Sequence, residues 1–299
     1  MFSRSAQIFV APGTQVRGMA TLKEIRLRLK SVQNIQKITK SMKMVSAAKY
    51  ARAERDLRSA RSYGIGADAF FEKIAPEEKE TEGKKSQVFI AMTSDRGLCG
   101  GVHSNVCRAI KAKMNAKESG VETKLILIGD KARNILQRLY GKDIILAFSN
   151  IGKAPPNFND ASFLAEQISN SGYKFDSASL FFNKFRNVVS YNTSNMTLYT
   201  EEVVAASPKL SEYDSVDEEV LKCYNEYMLA SRIYYALKEA ACSEQSSRMT
   251  AMDSASKNAE EMIAKLTLTF NRTRQAVITR ELIEIISGAN ANISPRKYL

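Results

Sequence analysis

From Lys209 to Ser287 the chain runs for 79 residues without a glycine or a proline, although these two residues occupy 20 of its 299 positions. About five would fall in such a stretch by chance, and one long helix is the element that excludes them. A second breaker-free run of 45 residues, Met19 to Tyr63, lies toward the other end, and 15 of the 20 glycines and prolines fall between Gly64 and Pro208. The pattern predicts two long helices, one from each end, with a compact domain inserted between them.

An apolar content of 44% with 25% charged residues is that of a folded chain. No run approaches the ~18 uninterrupted apolar residues of a membrane span, so any contact with a bilayer is expected to be indirect or peripheral. Cys99, Cys107, Cys223 and Cys242 lack CxxC spacing, and His103 is the sole histidine, so neither a metal site nor a redox pair is expected. Met1 to Met19 carries Arg4 and Arg17, serines, scattered apolar residues and no acid. That composition predicts a mitochondrial transit peptide over residues 1–19, with a mature chain beginning near Ala20.

The net charge of +12 is unevenly placed. Residues 20–63 hold 12 Lys/Arg against three acids, whereas residues 214–287 hold nine against 12. Opposite signs favour pairing of the two helices, but exposed ion pairs contribute only about 0.2 to 1 kcal/mol each. Apolar burial must hold them. In the first helix Leu22, Ile25, Leu29, Val32, Ile35, Ile38, Met42 and Val45 recur at spacings of three and four, a coiled-coil seam with one short step near Val32. In the second, Ser215-Val-Asp-Glu218 matches a capping box, Val216, Val220, Tyr224, Tyr227, Tyr234, Leu237 and Ala241 continue at helical spacing, and Gly288 is the expected C-cap.

At ~1.5 Å per residue the first helix would span about 60 Å and the second about 110 Å. The inserted domain joins the end of one to the start of the other, so the pair should run antiparallel, with the longer helix projecting. Its tip holds Val277, Ile278, Leu282, Ile283, Ile285 and Ile286, more apolar surface than a lone solvated helix tolerates. Lys37, Lys40, Lys43, Lys49, Arg52, Arg55, Arg58 and Arg61 fall on one three-residue repeat that misses only Ser46. Such a ridge winds around the helix and suits an encircling partner; nucleic acid competes for it.

Between the helices, short apolar runs alternate with helical stretches. Strands are predicted at Val88–Met92, Leu125–Ile128, Ile144–Phe148, Ala178–Phe182 and Met196–Tyr199, with helices at His103–Asn115, Lys131–Leu139 and Asp160–Ser171. This alternation predicts a Rossmann-like open α/β sheet of the doubly wound kind. The loop Thr93–Gly101 (TSDRGLCGG) has neither GxGxxG nor GK[ST] spacing, so a tight turn is favoured over a phosphate cradle. No nucleophile and base stand together, and no catalytic, cofactor-binding or metal-binding residues are assigned.

Four blocks carry a family resemblance: Ala20 to Lys49, Thr93 to Gly101, Ser243 to Met252 (SEQSSRMTAM) and Ile278 to Ala289 (ITRELIEIISGA). In this order they resemble the gamma subunits of F-type ATP synthases, and the leader implies the mitochondrial form. The resemblance implies a rotor shaft whose paired helices stand inside a ring of alpha and beta subunits. The middle domain would sit on the membrane ring of c subunits beside the delta and epsilon subunits. It implies catalysis by the beta subunits, no cofactor here, no nucleic acid, and a place on the matrix side of the mitochondrial inner membrane, with membrane contact only through the c ring.

Met42 and its neighbours Lys37, Lys40 and Lys43 match the family segment facing the beta subunit. Arg274, Gln275, Thr279 and Glu281 fall in the ring-contacting segment of the second helix, and Val277, Ile278, Leu282 and Ile286 form an apolar bearing tip. The expected divisions are 1–19, the N-terminal coiled-coil helix 20–74, the inserted domain 75–208, the C-terminal helix 209–288 and an extension 289–299 that Pro295 turns off the helix axis. Two rivals remain at this point, a basic helical nucleic-acid binder and a nucleotide-dependent enzyme built on the middle domain.

Overall fold

Helix α1 (Leu22–Ile74) starts on a capping box: the Thr21 N–H donates to Glu24 Oε2 (2.9 Å) and the Glu24 N–H to Thr21 Oγ1 (3.4 Å). The computed structural model describes residues 21–74, 86–116, 121–173, 175, 177–200 and 217–293. The expected leader, Ser215 of the expected capping box and residues 294–299 lie outside them. After α1 come β1 (Ser86–Met92), α2 (Val102–Asn115), β2 (Glu122–Ile128), α3 (Asp130–Tyr140), β3 (Ile144–Phe148), α4 (Phe158–Ser169), β4 (Ser177–Phe185), β5 (Tyr191–Tyr199) and α5 (Glu218–Ile293).

The sheet order is β3-β2-β1-β4-β5. β1 pairs in parallel with β2 and with β4, β2 pairs in parallel with β3, and β5 runs antiparallel beside β4. The order and the parallel core are those of a Rossmann-like sheet. β4 and β5 are nine residues each, longer than the apolar runs alone suggested, because the hairpin they form continues the ladder through polar Asn183, Thr193 and Asn192.

Side chains alternate across the sheet. Phe89, Ala91, Leu125, Leu127 and Phe181 pack with α2 and α3 on one face, while Val88, Ile90, Ile126, Leu180 and Phe182 pack with α4 on the other. This second face also receives Ala230, Ile233, Tyr235, Ala236 and Leu237 of α5. From Ala230 to Glu239 that helix is buried almost all round.

The chain divides into two units, one combining the described parts of Met1–Lys37 and Ser256–Leu299, the other Ile38–Ala255. The two helices meet within each, and within the second they pair antiparallel. Arg26 lies 5.7 Å over the Phe270 ring in the first, and Lys43 meets Asp253 while Arg61 meets Glu239 in the second. In the second, the residue numbers of partners fall on one helix as they rise on the other.

Two expectations are corrected. Gly288 does not end the C-terminal helix, which continues to Ile293, because an exposed glycine costs a helix only about 1 kcal/mol unless its backbone turns left-handed. The seam of α1 does not shift register at Val32. Covered positions are Leu22, Ile25, Leu29, Val32, Gln36, Thr39, Lys43, Ser46, Tyr50, Ala53, Leu57, Ala60 and Gly64, an unbroken alternation of threes and fours. Gly64 belongs to it by packing: a Cβ there would lie 2.6 Å from the Tyr235 ring, so only glycine lets the helix approach so closely.

Candidate functional site

The corrected seam exposes a second stripe on α1. Ile35, Ile38, Met42 and Val45, expected in the seam, are instead about half exposed. They recur at three, four and three, so they form a continuous apolar line beside the covered one. Val220 and Tyr227 of α5 are likewise exposed, because the sheet and α1 take other faces of that helix.

Lys37 and Lys40 are exposed beside this stripe. Lys43 occupies a seam position, and its ammonium lies 2.6 Å from Asp253 Oδ1. Ser46, the gap in the cationic repeat, is buried, and Arg61 is held by Glu239 and by the Phe185 carbonyl. The repeat is therefore no uninterrupted ridge.

On α5, burial recurs at Met252, Ala259, Ile263, Leu266, Phe270, Thr273 and Val277, after which every residue from Ile278 to Asn290 is exposed. Arg274, Gln275, Thr279 and Glu281 lie on the open surface, with the Thr279 hydroxyl donating to the Gln275 carbonyl (2.9 Å). Ile278, Leu282, Ile283, Ile285 and Ile286 are each more than half exposed. Among the described residues nothing covers this apolar surface.

The glycine-rich loop is occupied with structure. Ser247 Oγ donates to the Cys99 carbonyl (2.7 Å) and Arg248 Nε to the Gly97 carbonyl (3.3 Å). Gly100 adopts φ 64°, and a Cβ there would lie 3.1 Å from Ser247 Oγ. Two of the blocks noted in the sequence, Thr93–Gly101 and Ser243–Met252, thus grip one another. Ser243 Oγ also donates to the Asn183 carbonyl (2.9 Å), which extends the clamp to β4. Spacing alone did not reveal this partnership, since the two segments are some 150 residues apart.

His103 is buried with Nε2 3.1 Å from the Arg96 carbonyl and 3.3 Å from Ser94 Oγ. Burial pushes its pKa down, with the Glu244 charge opposing. Burial likewise pushes the thiols up, Cys99 and Cys107 to about 11 and Cys242 to about 12. Cys223 alone is exposed. Iodoacetamide at pH 8 is therefore expected to add one label per native chain, at Cys223, and four in urea; intact mass and peptide mapping check it, and rapid native labelling of Cys242 would contradict the packing described.

No cluster of three or more His, Cys, Asp or Glu is placed for a metal among the described residues. No described helix is long and apolar enough to cross a membrane.

A family model described as ATP synthase matches residues 21–291. The mitochondrial ATP synthase subunit gamma of Drosophila melanogaster is 60% identical over 279 residues, 93% of this chain and 92% of the relative. The mitochondrial ATP synthase F(1) complex subunit gamma of Rattus norvegicus is 55% identical over 273 residues, 91% of this chain and 99% of the relative. A chain from the central stalk and c ring of the Tetrahymena thermophila mitochondrial ATP synthase matches in structure with a TM-score of 0.62 and 28% identity, over 73% of this chain and 99% of its own length. The match runs through α1, the sheet and α5 alike, and the chain belongs to the ATP synthase gamma-subunit family.

Proposed function

We propose that the chain is the rotor shaft of a mitochondrial F-type ATP synthase, turning with the c ring inside a ring of alpha and beta subunits and coupling proton flow to ATP synthesis in the beta subunits. It is a non-catalytic subunit on the matrix side of the inner membrane. The observation that carries this reading is the bare apolar surface of the two helices: Ile35, Ile38, Met42 and Val45 on α1 and Ile278, Leu282, Ile285 and Ile286 on α5. Surfaces so apolar need a cover, and the relatives work in such an assembly.

The mechanism follows from symmetry. A single shaft without threefold symmetry presents a different face to each of three equivalent sites, which must then differ and change in turn as it rotates. Moving one site from 1:99 to 99:1 takes about 5.5 kcal/mol of differential contact. An exposed ion pair contributes about 1 kcal/mol at most. Many apolar and polar contacts must therefore share the work, with Lys37, Lys40, Met42 and Lys43 meeting the ring from α1 and Arg274, Gln275, Thr279 and Glu281 meeting it from α5. Val277, Ile278, Leu282 and Ile286 would seat the end of the shaft in the ring.

Stiffness suits that task. In the Ile38–Ala255 unit the helices are locked by Lys43–Asp253, Lys238–Asp56 and Arg61–Glu239 and by the clamp on the glycine-rich loop. The experiment is to measure ATP hydrolysis by the purified chain alone and after assembly with ring subunits, following rotation of a bead fixed to the α/β domain. No turnover is expected from the chain alone, and unidirectional rotation from the assembly. Steady hydrolysis by the rigorously purified chain would overturn the reading.

A further inference from the structure

The strand order reverses between β1 and β4, whose connecting helices lie on opposite faces of the sheet. Open α/β sheets leave a crevice outside the carboxyl ends of the strands at such a point, and ligands use it. Here the crevice is a cleft of about 460 Å³, walled by α1, the ends of β1 and β4, the segment Ile151–Pro156 and α5. All of these lie within the Ile38–Ala255 unit. The volume is that of a small-molecule site.

Its lining has a distinct chemistry. Val45, Ala48, Pro155, Pro156, Leu237 and Ala241 make the walls apolar. Of the charged groups, Asp56 is taken by Lys238 (3.1 Å) and Glu244 by Arg248. Lys49, Arg52 and Lys153 have no carboxylate partner among the described residues; the Lys153 ammonium donates to the Asn150 amide oxygen. Among the described residues the cleft therefore carries an uncompensated positive charge. Two lining residues also hold buried polar atoms without a hydrogen-bond partner, Nδ1 of the buried His103 and Oε1 of Gln245. Buried polar atoms are normally satisfied, so their position beside an open cleft points to an occupant.

We propose that this cleft binds a small organic anion, a carboxylate or phosphate monoester on an apolar skeleton, with the charge at Lys49, Arg52 and Lys153 and the skeleton against Ala48, Pro155 and Ala241. A nucleoside triphosphate does not fit this chemistry: the nearby glycine-rich loop has neither GxGxxG nor GK[ST] spacing, and its Thr93 and Asp95 N–H groups, which a phosphate cradle would need, donate to the Ile128 and Ile151 carbonyls. A bound anion would tie α1 to the sheet and to α5 at once. The site needs no partner subunit, so it stands or falls independently of the rotor reading.

The test uses the full chain and three probes of one shape: 2-naphthoate, 2-naphthyl phosphate and the neutral 2-naphthamide, titrated by calorimetry. Either anion is expected to bind at least about tenfold more tightly than the amide, the effect of two charge contacts at a partly wet site. Lys49→Gln with Arg52→Gln, on exposed positions of α1, should remove that advantage and leave the amide unchanged. Ala48→Trp should fill the cleft and abolish binding of all three while circular dichroism stays native. The tighter of the two anions assigns the headgroup as carboxylate or phosphate. Equal binding of anion and amide, no binding at millimolar probe, or indifference to either variant would refute the site.

Discussion

Arg61→Ala is expected to destabilise the chain by about 3 kcal/mol, more than any other single charge removal on α1. The Glu239 side chain is 0% exposed; Oε1 accepts from Arg61 Nε at 3.1 Å and Oε2 from the Phe185 N–H at 2.7 Å. Arg61 Nη2 donates in turn to the Phe185 carbonyl at 3.1 Å. One carboxylate and one guanidinium thus satisfy both backbone groups of the last residue of β4, tying sheet, α1 and α5 together. Without Arg61, the carboxylate stays buried with a single donor.

The reverse change is milder. Arg61 is 43% exposed, so after Glu239→Ala its guanidinium can turn to water, and the remaining cost is the unsatisfied Phe185 N–H and the lost bonds, about 2 kcal/mol. Arg58 is the control: its pair with Glu54 is exposed and within one helix, so Arg58→Ala should cost under about 0.5 kcal/mol. Urea unfolding followed by circular dichroism compares the three. If Arg61→Ala costs no more than Arg58→Ala, the buried tie is not what joins the elements.

That tie also marks the limit of reading this chain as a string. The two long helices were legible as runs free of glycine and proline, but their ends were not: α1 continues through Gly64 and Gly66 to Ile74, and α5 through Gly288 to Ile293. The α/β alternation was legible because four strands are parallel and apolar. The seam was not. Ile35, Ile38, Met42 and Val45 are the apolar residues a periodicity argument selects, yet Gln36, Thr39, Lys43 and Ser46 are the covered ones. Hydrophobicity cannot distinguish a line buried in the chain from one kept for a partner; here the polar line carries compensation such as Asp253 for Lys43.

α5 misleads for a related reason. Between Ala230 and Glu239 it serves the sheet and α1 together, so Ser231, Arg232, Lys238 and Glu239 are buried beside Ile233 and Leu237. Each charge there needs a partner from a distant segment: Arg232 donates to the Thr197 carbonyl at 2.7 Å, Lys238 to Asp56 at 3.1 Å. Those partners lie on other elements, so only the fold brings them together. The cationic repeat was legible as composition, but its division into Lys43, Arg58 and Arg61, which meet a carboxylate, and Lys49 and Arg52, which meet none among the described residues, was not.

Deleting residues from Arg274 onward is expected to cost most of the torque or the assembly itself, whereas Arg274→Ala, Gln275→Ala or Thr279→Ala singly should each leave at least about half of multi-site turnover. Each polar contact at a partly wet interface contributes on the order of 1 kcal/mol, well short of the ~5.5 kcal/mol needed to switch a site. The geometry agrees with shared work: all three side chains are exposed, and the Thr279 hydroxyl is already bonded to its own helix. Truncation removes them together with Ile278, Leu282, Ile285 and Ile286, each more than half exposed and worth about 1.5 to 3 kcal/mol when fully covered. An intermediate variant separates the two contributions: Ile278→Asp with Leu282→Asp keeps the polar contacts and should resemble the truncation more than the alanines. Each variant is assembled with its ring subunits and followed by turnover and single-molecule rotation. If one alanine stops rotation as completely as the truncation, contact is not distributed along the helix, and a single latch residue drives the coupling.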